Sequence, residues 1–337
     1  MRFTGEPLRD SARIAVISND AIGNSVVVTP LLQGLRAQYP AAEIHYVCGP
    51  RTQELWSRFG FIDIGHALLG RSARDLAREI SVLPPFDWVI NVENAAWAKF
   101  ACAALTTDSS FVTGACWAAD CRGDLPFEEG SRGDLWRDTA WIRAGIEHEY
   151  DFLNSPFIGE FFFRLAYLEG QVPKYGIPRD TPSIQIPDVL IAMSASLPDK
   201  LWSFEGWMSA VQRLRSSGLT VGLLGAAKNR QGKFWLGADV EDALVGSGVI
   251  IDLRGDLKLT EVVGAIDNAK LVLTLDNGIM HLAASTQTPT VALFRNGIHR
   301  LWSPPGANVT AVIAEPNQAV STISPRQVEV SLEQAGY

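Results

Sequence analysis

The stretch RIAVISNDAIGNSVVVTPLLQGLRAQYPAAEIHYV, residues 13–47, decides the fold class of this protein. It begins with an apolar run, RIAVI (13–17), and passes through a polar turn into TPLLQGLRAQYP (29–40), where leucines recur on one helical face. A second apolar run, EIHYV (43–47), follows directly. A strand, a turn, an amphipathic helix and a second strand are typical of the βαβ unit of a parallel sheet.

The same alternation continues along the rest of the chain. Further strand candidates are DWVINV (87–92), SSFVTG (109–114), DVLIAM (188–193), TVGLLG (220–225), VIIDL (249–253), KLVLTL (270–275), TVALF (290–294) and VTAVIA (309–314). Several are continuously apolar, which is typical of parallel strands covered on both faces. The stretches 203–218 and 259–269 are predicted helices, with Ser203 and Thr260 as their caps. The pattern predicts the α/β class, with two doubly wound, Rossmann-like domains.

The length and the prolines predict where the two domains separate. A chain of 337 residues exceeds what one hydrophobic core usually holds. The stretch VPKYGIPRDTPSIQIP contains four prolines and few apolar runs, which indicates a linker. We predict a first domain over 1–178, a second over 179–320, and a C-terminal helix over 321–337 capped by Ser324. One option is that this helix crosses back to the first domain.

Composition excludes several classes of protein. The net charge of −8 argues against general affinity for nucleic acid. No apolar run approaches the roughly 18 residues of a membrane span, so we expect at most peripheral membrane contact. The N-terminus lacks a secretory apolar region, and we expect the residues before RIAVI to form a disordered or loosely attached leader. Four irregularly spaced cysteines favour a reducing cytoplasm.

The first candidate site is the turn SNDAIGN, residues 18–24. Ligands of parallel α/β domains bind at the carboxyl ends of strands, and two such domains that face each other form a cleft. The turn matches neither the dinucleotide fingerprint nor a Walker loop, and it carries Asp20, Gly23 and Asn24 just before a helix. The alternative is a plain turn in which Asp20 caps the helix.

The second candidate site is the loop MSASLPDKLW that follows DVLIAM. Ser194 and Ser196 supply hydroxyl groups at the end of a strand, and Lys200 supplies a cation before the next helix. Together they predict an anion site. The alternative is an exposed lysine in a polar loop.

The third candidate site is LTLDNGIMHLAAS, where Asp276, Asn277 and Gly278 turn the chain into a helix. The free N–H groups at that helix start would favour a phosphate, and Asp276 would accept hydrogen bonds from ligand hydroxyls. His281 lies in the first turns, either as a ligand contact or as a structural histidine. The three turns together imply a ligand with both phosphate and hydroxyl groups.

The motifs resemble one known family. LTLDNGIMHLAASTQTPTVALF resembles the D-T/S-G-x-M-H-L-A-A signature of family 9 glycosyltransferases, the lipopolysaccharide heptosyltransferases. The turn at 18–24 and the loop before Lys200 also resemble that family, and the similarity is weakest from about 100 to 180. The resemblance implies a GT-B fold, with an acceptor domain first and a nucleotide-sugar domain second. It implies inverting, metal-independent transfer, typically of heptose from an ADP donor to a glycan or glycolipid hydroxyl, without a cofactor.

The resemblance also implies roles for individual residues. A lysine at the position of Lys200 and a hydroxyl near Ser196 contact the diphosphate in that family. An aspartate at the position of Asp276 contacts donor hydroxyls, and the helix start at Gly278 holds phosphate. Asn277 stands where the family has threonine or serine. The predicted donor-binding residues are Ser194, Ser196, Lys200, Asp276, Asn277, Gly278 and His281.

The main departure from the family is Asn24, which stands at the position of the catalytic base, an aspartate. An amide cannot take a proton. Asp20 of the same turn and Glu93 of INVENAAW, at the end of another strand, are the two candidate substitute bases. The third alternative is a nucleotide-sugar-binding homologue or partner subunit that has lost catalysis. If the protein is active, Asn24→Asp is expected to be tolerated or to speed transfer.

Other departures leave the substrates open. Arg295 stands where the family commonly has glycine, and Lys228, Asn229 and Arg230 lie where the family has an acidic ribose contact. The acceptor is a glycan, a glycolipid or a small-molecule glycoside. A nucleotide-sugar epimerase shares the two-domain fold, but no second carboxylate–histidine set is present for its acid/base chemistry.

Overall fold

The computed structural model describes residues 1–227, 235–306 and 308–337. The chain forms two compact units, Met1–Gly176 and Ile177–Tyr337. Lys228, Asn229 and Arg230, singled out above, lie outside the described residues. Across these described ranges, no helix has the length and apolar character needed to cross a membrane.

The first unit is built on a parallel sheet of five strands. The strands are β1 (Arg13–Ile17), β2 (Glu43–Cys48), β3 (Ile64–Ala67), β4 (Trp88–Asn91) and β5 (Phe111–Gly114). The helices are α1 (Ile22–Val27), α2 (Thr29–Gln38), α3 (Gln53–Trp56), α4 (Ala73–Ser81), α5 (Ala96–Leu105), α6 (Ser131–Arg137) and α7 (Ile158–Leu165). The spatial order is β3-β2-β1-β4-β5, so the chain starts in the middle, builds outward to β3, and then crosses to the other side of β1. The order reverses between β1 and β4.

The second unit repeats this plan with six parallel strands. They are β6 (Val189–Ala192), β7 (Val221–Leu223), β8 (Ile251–Asp252), β9 (Leu271–Leu275), β10 (Thr290–Phe294) and β11 (Val309–Ile313). The helices are α8 (Phe204–Ser216), α9 (Ala238–Gly246), α10 (Leu259–Asn268), α11 (Gly278–Ala284), α12 (Ile298–Trp302) and α13 (Pro325–Gln334). The spatial order is β11-β10-β9-β6-β7-β8, and it reverses between β6 and β9. Both sheets are therefore doubly wound, which confirms the predicted fold class.

The central strands are buried on both faces, because they carry almost no polar side chains. Every residue of β9 and of β10 is buried, and so are four of the five residues of β1. Ser203 caps α8 as predicted, by accepting a hydrogen bond from Gly206 N. Thr260 does not cap α10, because that helix begins at Leu259; its hydroxyl donates instead to the carboxylate of Asp180.

The C-terminal helix α13 packs within the second unit. Val328 and Leu332 on its apolar face are fully buried in the same core as Trp207 of α8. The indole N–H of Trp202 donates to Ile323 O at 2.7 Å and ties the segment before α13 to that core. The packing therefore does not support the option that this helix crosses back to the first domain.

The N-terminal residues are ordered, contrary to the expectation of a loose leader. Phe3 is only 2% exposed, and its ring stacks on Trp88 with centroids 4.0 Å apart. Phe3 N donates to Val112 O, and Val112 N donates to Met1 O, so residues 1–3 pair with the free edge of β5. The expectation is wrong here because Phe3 fills a place in the core and its backbone completes the sheet edge.

Candidate functional site

The turn after β1 and the chain after β4 lie side by side at the reversal point of the first sheet. Strands β1 and β4 are neighbours in register, with Ile17 opposite Asn91. Ligands of doubly wound sheets bind in the crevice at such a reversal, outside the carboxyl ends of the strands. The residues that follow these two strands, Asn19 to Asn24 and Glu93, are therefore the candidate site of this unit.

The Glu93 carboxylate is held by two asparagine amides. Its Oε1 accepts from Asn19 Nδ2 at 2.6 Å and from Asn24 Nδ2 at 3.1 Å. The backbone is fixed as well, because Glu93 N donates to Asn91 Oδ1 while Asn91 Nδ2 donates to Ala115 O. Within the described ranges no hydrogen bond is donated to Oε2 of Glu93. One carboxylate oxygen is thus anchored, and the other remains available to a ligand.

Burial makes this carboxylate a stronger base than an exposed one. The pKa of Glu93 is raised because burial disfavours the charged form, and the hydrogen bonds from Asn19 and Asn24 oppose that rise. A carboxylate that accepts a proton during a reaction near neutral pH works best when its pKa lies close to that pH. The environment of Glu93 shifts its pKa toward neutral pH.

Asp20, the other carboxylate considered as a base, points to a different partner. It is 7% exposed, its Oδ1 lies 3.7 Å from Arg51 Nη1, and its Oδ2 accepts from Arg51 N at 3.4 Å. A Cβ on Gly49 would come within 2.3 Å of Oδ2, so the carboxylate packs directly against the backbone after β2. Asp20 thus ties the turn to the neighbouring loop, whereas Glu93 is the carboxylate bonded to Asn24.

The second sheet has an equivalent site at its own reversal point. Strands β6 and β9 pair with Ala192 opposite Thr274, and the loops after both strands meet. Lys200 Nζ lies 2.7 Å from Asp276 Oδ2 and donates to Asp276 O at 3.3 Å. The side chains are 15% and 5% exposed, respectively. Lys200 is therefore a partly buried cation at the strand ends, which rules out the alternative of an exposed loop lysine.

Asn277 caps α11 and joins the two loops. Its Oδ1 accepts from the backbone N–H groups of Ile279 and Met280, and its Nδ2 donates to Ser194 O at 3.0 Å. The prediction that the N–H groups of this helix start are free for phosphate is therefore wrong for two of them. In the described chain, only the earlier N–H groups, at Asn277 and Gly278, are left for a ligand.

The remaining predicted donor residues differ in their access to a ligand. Ser196 is exposed and Ser194 is half-buried. His281 is 3% exposed, and its ring meets Trp302 edge-on with centroids 5.7 Å apart. Burial lowers the pKa of His281 to about 4, against the smaller opposing effect of Asp276, so the imidazole is neutral at pH 7. This environment fits the alternative of a structural histidine.

Sequence reasoning missed two residues beside these sites. Asn19 donates the shortest hydrogen bond to Glu93, and its position in the same turn was the available signal. Asp199, next to Lys200, accepts a hydrogen bond from Arg295 Nη1 at 2.7 Å. No group of three or more His, Cys, Asp or Glu side chains that could hold a metal ion occurs in the described residues.

Comparisons with known proteins give a consistent result. Residues 166–329 match the family model described as glycosyltransferase family 9 (heptosyltransferase). The chain is 31% identical over 99 residues to lipooligosaccharide heptosyltransferase 2 of Haemophilus influenzae, and this match spans only 28% of that protein. It is 22% identical over 325 residues to lipopolysaccharide heptosyltransferase 2 of Salmonella typhimurium, spanning 84% of this chain and 82% of that one.

Solved structures share the fold over nearly the whole length. A family 9 glycosyl transferase from Veillonella parvula superimposes with a TM-score of 0.72 at 16% identity, covering 96% of this chain and 97% of that one. The E. coli ADP-heptose LPS heptosyltransferase II gives a TM-score of 0.64 at 20% identity, covering 96% and 98%. At these identities the likeness establishes the two parallel-sheet α/β domains of the GT-B fold.

Proposed function

We propose that this protein, which carries a glycosyltransferase family 9 domain over residues 166–329, transfers a sugar from a nucleoside diphosphate donor to an acceptor hydroxyl, with inversion and without a metal ion. The observation that carries the proposal is the Glu93 carboxylate, hydrogen-bonded to Asn24 at 3.1 Å. It supplies a proton acceptor beside the residue that replaces the family's base. Asn24 itself therefore does not have to accept the proton.

On the acceptor side, Glu93 acts as the general base. The acceptor oxygen attacks the anomeric carbon while the bond from that carbon to the diphosphate oxygen breaks. The acceptor proton passes to Oε2 of Glu93, and Asn24 and Asn19 hold Oε1 in place. A single displacement from the face opposite the leaving group inverts the anomeric configuration.

On the donor side, Lys200 stabilises the leaving diphosphate and Asp276 binds the sugar hydroxyls. Lys200 offsets the negative charge that develops on the departing diphosphate, which in a partly buried site is worth more than in water. Asp276 accepts hydrogen bonds from donor hydroxyls, and its ion pair with Lys200 keeps both groups in position before the donor arrives. Ser196, which is exposed, adds a hydroxyl donor to the diphosphate.

For the donor we propose an ADP-linked, heptose-like sugar. Support comes from the similar relatives, which are heptosyltransferases, and from a similar structure described as an ADP-heptose enzyme. The acceptor is a glycan, a glycolipid or a small-molecule glycoside. We propose that the reaction takes place in the cytoplasm, because the four cysteines are few and irregularly spaced, as expected in a reducing compartment.

The second candidate function is binding without turnover, and the amide at Asn24 favours it. A thermal-shift panel of ADP-, GDP-, UDP- and dTDP-linked sugars first identifies the donor, because a ligand that binds the folded state raises the melting temperature. Release of the nucleoside diphosphate in the presence of acceptor then separates the two functions. A donor that binds tightly and is never turned over would leave only the binding protein.

A further inference from the structure

Arg295 and Asp199 form an ion pair beside Lys200 and Asp276 that the donor-site assignment does not use. We propose that this pair is a subsite for hydroxyl groups of the transferred sugar. The inference rests on the proposed function, because it needs a donor diphosphate at Lys200. It adds the residues that recognise the part of the donor beyond the diphosphate.

The fold brings the two ion pairs together. Asp199 directly precedes Lys200 in the loop after β6, and Arg295 directly follows β10. Strand β10 pairs with β9, whose end carries Asp276, with Leu293 opposite Leu275. Arg295 therefore lies one strand beyond Asp276, on the side away from β6. The four charged groups share the carboxyl edge of one sheet.

The hydrogen bonding of the pair is incomplete. An arginine and a carboxylate in open contact tend to form two parallel bonds, as Arg143 does with Glu149 in the first unit. Here Arg295 Nη1 makes a single bond to Asp199 Oδ2, while Arg295 Nε and Asp199 Oδ1 are buried and have no hydrogen-bond partner among the residues that the structure describes. A buried donor or acceptor that is left unpaired destabilises the folded protein. Hydrogen-bonding groups that are left unpaired next to a candidate diphosphate site indicate a ligand that forms the missing bonds.

The chemistry of the pair fits a sugar hydroxyl. A hydroxyl both donates and accepts, so it can donate to the Asp199 carboxylate and accept from the Arg295 guanidinium. The side chains are 47% and 25% exposed, so a ligand can reach the ion pair, and the two atoms buried within it, Arg295 Nε and Asp199 Oδ1, become accessible when the pair shifts to admit the ligand.

The position on the sheet separates the sugar from the nucleoside. In doubly wound sheets the first three strands of the fold, here β6, β7 and β8, hold the nucleoside on their side of the reversal point. With the diphosphate at the reversal, the group beyond it lies over β9 and β10. The sugar would therefore reach Asp276 at the end of β9 first and Arg295 at the end of β10 next.

The test compares matched ligands by isothermal titration calorimetry. Four pairs are used: ADP with ADP-heptose, GDP with GDP-mannose, UDP with UDP-glucose, and dTDP with dTDP-glucose. For the pair that binds the unsubstituted protein, Arg295→Gly and Asp199→Asn are each expected to raise the Kd of the nucleotide sugar about 10- to 100-fold. The Kd of the bare nucleoside diphosphate is expected to change by about 2-fold or less. Arg295→Lys, which keeps the charge but not the planar donors, is expected to give an intermediate loss.

The matched control is Arg179→Gly. Arg179 forms a similar 2.7 Å ion pair with Asp267 in the same unit, away from the strand ends. It is expected to leave the affinities for both ligands unchanged. Thermal unfolding without ligand shows whether each variant is folded. If Arg295→Gly does not fold, the affinities of Asp199→Asn carry the test.

The outcomes separate this inference from the proposed function. If the substitutions weaken binding of both ligands equally, or of neither, the sugar subsite is overturned. The Asp199–Arg295 pair would then serve only to maintain the conformation of the loop. Lys200→Ala tests the donor site itself, because it should weaken binding of both ligands. If Lys200→Ala leaves nucleoside diphosphate binding intact, the proposed donor site fails. If none of the four pairs binds the unsubstituted protein, both proposals fall.

Discussion

Glu93→Gln is the substitution that tests the proposed chemistry most directly. The amide keeps the oxygen that accepts from Asn19 at 2.6 Å and from Asn24 at 3.1 Å, but it cannot take a proton. A general base contributes about 10²- to 10⁴-fold to a rate, so turnover should fall by that factor, or about 3–5 kcal/mol of transition-state stabilisation. Donor affinity should remain within a few-fold, because the donor contacts are in the second unit.

The assay follows release of the nucleoside diphosphate under saturating donor and acceptor. Stability should change by about 1 kcal/mol or less, because both anchoring hydrogen bonds persist. Asp20→Asn is the control, since that carboxylate lies in the same turn but contacts Arg51. It should leave turnover largely intact.

The structure changes what is expected of Asn24→Asp. A new carboxylate would stand about 3 Å from the Glu93 carboxylate, where two negative charges repel by roughly 5 kcal/mol at an effective dielectric constant of about 20. One of the two groups would therefore hold a proton near neutral pH, and the pair would titrate as a unit. The single substitution should shift the pH profile of turnover rather than simply speed transfer.

The double variant Asn24→Asp with Glu93→Gln exchanges the two groups and removes that repulsion. It should recover part of the activity lost in Glu93→Gln alone, because a carboxylate again lies in the same hydrogen-bonded pair. Full turnover by Glu93→Gln would refute Glu93 as the base. Turnover by Asn24→Asp where the unsubstituted protein has none would show that the natural protein is a binder.

The remaining predictions concern the donor site and its surroundings. Lys200→Ala should weaken binding of the nucleoside diphosphate and of the nucleotide sugar alike, whereas Asp276→Ala should weaken binding of the nucleotide sugar more. Calorimetry with both ligands distinguishes the two effects. If Asp276→Ala weakens binding of both ligands equally, Asp276 only shapes the turn. EDTA should leave turnover unchanged, and an activity restored only by added Mg²⁺ or Mn²⁺ would contradict the metal-free proposal. Burial lowers the pKa of His281 from its ordinary value of 6.5 to about 4, so between these two pH values the unfolded chain binds a proton that the folded chain does not. The free energy of unfolding should therefore fall by about 3 kcal/mol between about pH 6.5 and pH 4, and His281→Gln should remove that part of the pH dependence in urea titrations, while His148→Gln, at an exposed histidine, should not.

Local patterns in the sequence determined the elements and the turns between them. The continuous apolar runs became the central strands, because a strand buried on both faces needs apolar side chains at every position. Ser203 and Ser324 were recognisable as helix caps, because a cap depends on residues within one turn of it. The short strand β3 was missed, because it is an edge strand of four residues, none of them buried.

The spatial order of the strands decided what the sequence left open. Asp20 and Glu93 both follow strands that end at the same edge of the sheet, and nothing local distinguishes them. Glu93 meets Asn24 because β4 lies next to β1, whereas Asp20 turns toward the loop after β2, the neighbour on the other side.

The same reason applies to the ends of the chain and to the ion pairs of the second sheet. Phe3 finds its place against Trp88, and Arg295 finds Asp199, across long separations in sequence. Such contacts depend on which strands become neighbours when the sheet assembles. Strand order follows from the packing of the whole domain. Local sequence patterns can therefore identify the residues of the site, but they cannot show which of these residues contact each other.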